Sequence, residues 1–136
     1  MVGYNLNMKL LRFTLCLMVA MIFGACSAKI HDYDPEKCKP IFEKVQKNET
    51  LSDGEMSELL DQLLAMAKII DAKTKEYMND PQKLADYQKE PKILQMKEFA
   101  SAFDTYLYYH LSELSPQNKK KYEDAVAEMS SLQNQQ

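Results

Sequence analysis

The densest group of side chains that could recognise a partner lies in the segment FASAFDTYLYYH, residues 99–110. Tyrosine and histidine combine an apolar ring with a polar tip, and such side chains are typical of binding pockets and partner surfaces. At helical spacing, one face carries two phenylalanines, one tyrosine and the histidine: Phe99, Phe103, Tyr106 and His110. That face also suits a helical core with polar tips at its rim, whereas Tyr108 points away from it. The partner-binding hypothesis uses the three tyrosines and the histidine: Tyr106, Tyr108, Tyr109 and His110.

A second hypothesis is a carrier that holds a small apolar ligand in a cavity between helices. Methionine adapts to irregular pockets, and the predicted lining combines it with leucine and phenylalanine. The residues concerned are Met56, Leu60, Leu63, Phe99 and Phe103. Retention of a ligand by the purified protein would distinguish a carrier from a partner-binding module.

Motifs for catalysis and metal binding are missing from the sequence. It has no glycine-rich phosphate loop, no HExxH pair and no nucleophile–histidine–acid set in a recognisable context. His110 and Glu113 are three residues apart, but the other histidine, His31, belongs to a separate segment with Asp32, Asp34 and Cys38 that matches no compact ligand spacing. We therefore expect neither an enzyme nor a bound metal or cofactor.

The N-terminal segment indicates where the protein resides. Lys9 and Arg12 precede an apolar run, FTLCLMVAMIFGAC at residues 13–26, which ends in small residues and a cysteine. A basic start, a short apolar stretch and a small-residue cleavage site are the parts of a secretory signal peptide. The run is shorter than the roughly 20 residues that a membrane-spanning helix needs.

This segment resembles a bacterial lipoprotein signal peptide, on the motif FGAC at residues 23–26. The resemblance implies a bacterial source, cleavage before Cys26, and attachment of fatty acids such as palmitate to that cysteine. Ser27 replaces the aspartate that marks inner-membrane lipoproteins, which implies the outer membrane. An uncleaved N-terminal anchor and plain secretion remain alternatives, and Met8 is an alternative start of the chain.

Removal of residues 1–25 would change the composition in an informative way. It leaves 111 residues with 15 lysines and 20 acidic residues, so the formal charge becomes −5 instead of −3. Arg12 is the only arginine and lies in the removed part. An acidic chain without arginine is a poor match to nucleic acid, which proteins bind through basic patches. Cys38 would be the only cysteine not consumed by lipid, so we predict a packed thiol and no intramolecular disulfide.

The first helix signal comes from Asp34 as a cap and Pro35 as a first helical residue. Pro40 follows within two turns and predicts a short or broken helix. Its apolar contacts would be Ile41, Phe42 and Val45.

A long helix is predicted to begin at the capping-box pair Ser52 and Glu55 and to run to Met78, before Asn79-Asp80-Pro81. Its apolar stripe recurs every three or four residues: Met56, Leu59, Leu60, Leu63, Ala67, Ile70, Thr74 and Tyr77. Additional apolar residues widen the stripe, so we expect this helix to contact several neighbours.

Proline also marks the later helices. Residues 81–90 could form a short helix or a connection. Pro91 opens a helix predicted to run to about Leu114, and Ser115 with Pro116 opens the last one.

The predicted fold is all-α: a small antiparallel bundle of three main helices with one or two short ones. We assign residues 1–25 to the signal peptide, 26–34 to a tether, 35–132 to the bundle and 133–136 to a frayed tail. The predicted function is a lipid-anchored envelope protein that binds an unidentified protein partner.

Overall fold

The computed structural model describes residues 32–134, which form helices joined by short links. The helices are α1 (Pro35–Gln46), α2 (Asp53–Glu76), α3 (Pro81–Gln88), α4 (Pro91–His110) and α5 (Pro116–Gln133), with a 3₁₀ turn at Leu111–Glu113. Residues 32–134 contain no strand, and the all-α prediction is confirmed. The predicted signal peptide, Cys26, the tether up to residue 31 and residues 135–136 lie outside the described residues.

Most of these helices begin as the sequence predicts. The first helical residue is a proline in α1, α3, α4 and α5: Pro35, Pro81, Pro91 and Pro116. Proline suits this position because an N–H group in the first turn has no acceptor inside the helix, so its absence in proline breaks no hydrogen bond. At α2, the Ser52 hydroxyl accepts from the Glu55 N–H at 3.2 Å, and the Ser52 N–H donates to the Glu55 carboxylate at 2.8 Å. This reciprocal pair confirms the predicted capping box.

Pro40 does not break α1, which is a correction to the expected interruption. The helix runs through it to Gln46, although proline in a helix interior costs about 3 kcal/mol. Pro40 is exposed, whereas Cys38 and Ile41 are buried and the rest of this face packs against the core. Burial of several apolar side chains, each contributing about 1.5–3 kcal/mol, outweighs one lost hydrogen bond.

Two helix ends also differ from the expected positions. The long helix α2 ends at Glu76 instead of Met78, and α4 ends at His110, where the chain tightens into the 3₁₀ turn instead of continuing to Leu114. Residues 81–90, which could be helix or connection, form α3 up to Gln88. Such shifts are ordinary because helix ends commonly pass into tighter turns.

Helix α2 is the centre of the core, and it contacts α1, α4 and α5. Its predicted apolar stripe is buried from Met56 to Thr74. Met66, one of the additional apolar residues beside that stripe, is fully buried as well. From α4, Met96 is buried while Leu94 is 53% exposed. The largest fully buried apolar side chains are Phe103, Leu59, Leu60, Leu63, Met66, Met96, Leu107 and Met129.

The buried side chain of Gln62 hydrogen-bonds to residues at the start of α1. The Gln62 carbonyl oxygen accepts from the Asp34 backbone N–H at 3.0 Å and from the Cys38 thiol at 3.6 Å. The Gln62 side-chain amide donates to Glu58 at 3.0 Å. The partly buried Tyr33 packs against the core, and burial raises its pKa to about 12. The last residues of the predicted tether are thus held against the fold.

Within residues 32–134, every helix is too short or too polar to cross a bilayer.

Candidate functional site

An open cleft of about 560 Å³ lies between the end of α1 and the second half of α4. From α1 and the turn after it come Val45, Gln46 and Asn48; from α4 come Glu98, Ser101, Ala102, Thr105, Tyr106, Tyr109 and His110. Three of the four predicted contact residues therefore line one cleft. The fourth, Tyr108, is not among the lining residues, but its ring contacts the ring of Tyr109.

Tyr106 links this cleft to the core. Its side chain is buried, and its hydroxyl accepts a hydrogen bond from the Leu51 backbone N–H at 3.0 Å. The Tyr106 ring stacks on the His110 ring, with centroids 4.0 Å apart and planes at 21°. The Tyr106 hydroxyl is therefore used in an internal hydrogen bond. Its role is to stabilise the structure around the cleft and not to contact a partner.

His110 is fixed by an acidic neighbour in the 3₁₀ turn. Its Nδ1 lies 2.6 Å from a carboxylate oxygen of Glu113, and the His110 side chain is about one-third exposed. A carboxylate accepts, so Nδ1 carries the proton and, in the neutral ring, Nε2 is left as an acceptor. The pair that the sequence offered as metal ligands is joined here by its own hydrogen bond. Among residues 32–134, no three His, Cys, Asp or Glu side chains are arranged to hold a metal ion.

The most exposed aromatic side chains of the described residues lie at the end of α4. Tyr109 is 72% exposed and Tyr108 is 43% exposed. Their rings meet edge to face, with centroids 5.2 Å apart and planes at 82°. The predicted contact set therefore divides into the buried Tyr106, the cleft-lining Tyr109 and His110, and the outer Tyr108.

Asn48 lines the cleft on the α1 side, a position that no motif in the sequence predicts. Its φ of 55° lies in the left-handed region, which asparagine tolerates better than most residues. The Asn48 N–H donates to the Val45 carbonyl at 3.1 Å, and the Glu49 N–H donates to the Lys44 carbonyl at 2.9 Å. These two bonds form a Schellman motif that ends α1. An asparagine after the last apolar residue of a helix was the signal that could have identified it.

The cleft between α1 and α4 is nearly free of charged side chains. Glu98 is the single aspartate, glutamate, lysine or arginine among its lining residues, although such residues make up 27% of the chain. A second cleft, of about 280 Å³, lies between α2 and α5. There Lys121 pairs with Asp61 at 2.9 Å and Lys120 pairs with Asp124 at 2.8 Å. The lysines of the second cleft are paired with its aspartates, whereas most polar side chains that line the first cleft carry no formal charge.

The five residues predicted to line a carrier cavity are packed in the core. Phe99 and Phe103 stack with centroids 6.1 Å apart, and Phe42 meets Phe99 edge to face at 5.2 Å. Of the five, Leu60 also lines the α2–α5 cleft.

Cys38 is a fully buried free thiol. Burial is the main cause that raises its pKa to about 12, and the carboxylates of Asp34 and Glu58 add to the increase. Such a thiol is poorly suited to act as a nucleophile, because reactivity requires the thiolate.

Comparisons of this chain with known protein families, with curated proteins and with solved structures find no match.

Proposed function

We propose that this protein is a lipid-anchored interaction module of a bacterial envelope, attached through Cys26 and contacting a protein partner with the outer face of α4. The observation that carries the proposal is the exposed aromatic pair Tyr108–Tyr109. Monomeric proteins rarely expose adjoining large aromatic side chains, and tyrosine is enriched at the centres of protein interfaces. The lipid anchor rests on the signal-peptide pattern at residues 13–26.

The proposed architecture is a small antiparallel bundle in which α2, α4 and α5 are the main helices. Contacts of α2 with α1, α4 and α5 support it. So do the short links between successive helices, of two to six residues, because short links favour antiparallel neighbours.

In this proposal a nine-residue step along the chain separates the lipidated cysteine from the first helix. Helix α1 begins at Pro35, nine residues after Cys26, and ends beside the α1–α4 cleft. Twelve helical residues span about 18 Å, and nine extended residues span at most about 30 Å. The maximum reach of the segment between Cys26 and Pro35 therefore exceeds the length of α1.

Fractionation of cells tests the anchor. Cys26→Ala should abolish palmitate labelling and release the protein from membranes, whereas Cys38→Ala, which removes a buried thiol, should leave labelling intact. Wild-type protein should appear in the outer-membrane fraction of a density gradient. A Cys26→Ala protein that stays in the membrane would instead support an uncleaved anchor.

Crosslinking in cells tests the partner surface. A photoreactive phenylalanine analogue at Tyr108 should give one discrete adduct with another envelope protein. The same analogue at Glu123, an exposed position on α5, is the control. Adducts that do not differ between the two positions would contradict the proposed surface. A ligand retained by the purified protein in native mass spectrometry would favour the carrier instead.

A further inference from the structure

We propose that the α1–α4 cleft is a binding site for a neutral oligosaccharide of two or three sugar units. The site goes beyond the proposed function, since it requires neither the lipid anchor nor a protein partner. Its volume of about 560 Å³ lies within the roughly 300–1,000 Å³ typical of small-ligand sites.

The near absence of charged side chains from the lining indicates which class of ligand the cleft can bind. Phosphates and carboxylates are bound through arginine or lysine, and the lining contains neither. Cationic ligands need several acidic groups, and Glu98 is the only acidic residue in the lining. A ligand that matches this cleft is therefore uncharged.

The polar groups of the lining exclude a purely apolar ligand. Gln46 and Asn48 line the cleft on the α1 side, and Ser101 and Thr105 line it on the α4 side. Covering these groups with hydrocarbon would cost free energy because they would lose water without gaining hydrogen bonds. The Thr105 hydroxyl donates to the Ser101 carbonyl at 2.9 Å, so it presents its oxygen as an acceptor. Sugar hydroxyls both donate and accept, which suits such a mixture of groups.

The exposed aromatic ring supplies the remaining element of sugar recognition. A tyrosine ring carries partial negative charge on its face, and the C–H bonds on one side of a pyranose ring are weakly positive. Tyr109 presents such a ring at the cleft with 72% of its surface exposed. The rings of Tyr106 and His110, stacked with centroids 4.0 Å apart, also line the cleft.

Calorimetric titration of the full-length lipidated protein, in a detergent without a sugar headgroup, tests the site. The probes are maltotriose, cellotriose and triacetylchitotriose, with trigalacturonate as the anionic control. We expect saturable binding of at least one neutral trisaccharide at one site per chain. No saturable binding of any neutral probe, or equal binding of trigalacturonate, would overturn the proposal.

Variants connect that binding to the cleft. Tyr109→Ala should weaken it about tenfold and Tyr109→Phe about twofold or less, because phenylalanine retains the ring face. Asn48→Gly should also weaken binding, because it removes the amide while keeping the left-handed backbone. Leu94→Ala, at an exposed position near the start of α4, is the control and should change nothing. Binding unchanged in Tyr109→Ala would overturn the site. Failure of Tyr108 crosslinking would affect only the proposed protein partner.

Discussion

The Tyr106 hydroxyl accepts a hydrogen bond from the Leu51 backbone N–H across 3.0 Å, and this bond connects α4 to the link between α1 and α2. Leu51 is itself buried in the core, so no water would replace the tyrosine as a partner. The two residues are 55 positions apart, and the bond holds the inner wall of the α1–α4 cleft. The cleft therefore depends on a contact between distant parts of the chain.

Tyr106→Phe should lower the free energy of unfolding by about 1–3 kcal/mol, because the buried Leu51 N–H loses its acceptor. Chemical denaturation measures the change. Tyr109→Phe is the matched control, since its exposed hydroxyl should contribute less than about 0.5 kcal/mol. Equal stability of the two variants would mean that the hydrogen bond contributes nothing.

Asn48→Ala should destabilise the protein by about 1 kcal/mol, because alanine is strained at a φ of 55°. Asn48→Gly should stay within about 0.5 kcal/mol of wild type, because glycine adopts this conformation freely. Thermal unfolding of both variants provides the comparison. Equal losses in the two variants would show that the asparagine side chain, and not strain at its φ angle, stabilises the end of α1.

Gln62→Ala should loosen the start of α1, because the Asp34 N–H and the Cys38 thiol share its carbonyl oxygen. The expected loss of stability is about 1–3 kcal/mol. Hydrogen exchange should accelerate in α1 more than in α5. Gln95→Ala, at an exposed position on α4, serves as the reference and should leave exchange unchanged.

Cys38 should resist thiol reagents in the folded protein. With a pKa raised to about 12, only about one thiol in ten thousand is ionised at pH 8, and burial blocks access as well. A chain with Cys16 and Cys26 replaced by serine isolates this thiol. Its reaction with an aromatic disulfide reagent should follow unfolding as denaturant increases. Ser101→Cys, added to the same chain at an exposed position, should react at once. Rapid reaction of Cys38 under native conditions would contradict its enclosed position.

Local signals in the sequence predicted most helix starts. Ser52 with Glu55, and Ser115 with Pro116, act within a single turn, so their residue types and spacing suffice to define a cap. Pro40 misled the prediction because its local cost is real, but the packing of Cys38 and Ile41 compensates for it. The local rule was correct, and the tertiary contact outweighed it.

The sequence predicted the candidate site only in part, because some of its residues share one helix and others are brought together by tertiary contacts. The aromatic residues of α4 were identifiable from spacing on one helix, and Tyr109 and His110 do line a cleft. The sequence could not indicate that Tyr106 would bond Leu51, or that Asn48 would face α4. These contacts join residues more than fifty positions apart, and periodicity within one helix carries no information about its neighbours.

By itself, the sequence determined the helical class, the caps and the periodic faces, because these depend on interactions within a few residues. Only the tertiary structure decided which polar tips are used internally and which face solvent. Tyr106 and Tyr109 have the same side chain on the same helix, yet one is buried and the other is 72% exposed. The difference arises from the position of the α1–α2 link, which provides a hydrogen-bond donor to the first and leaves the second open to solvent.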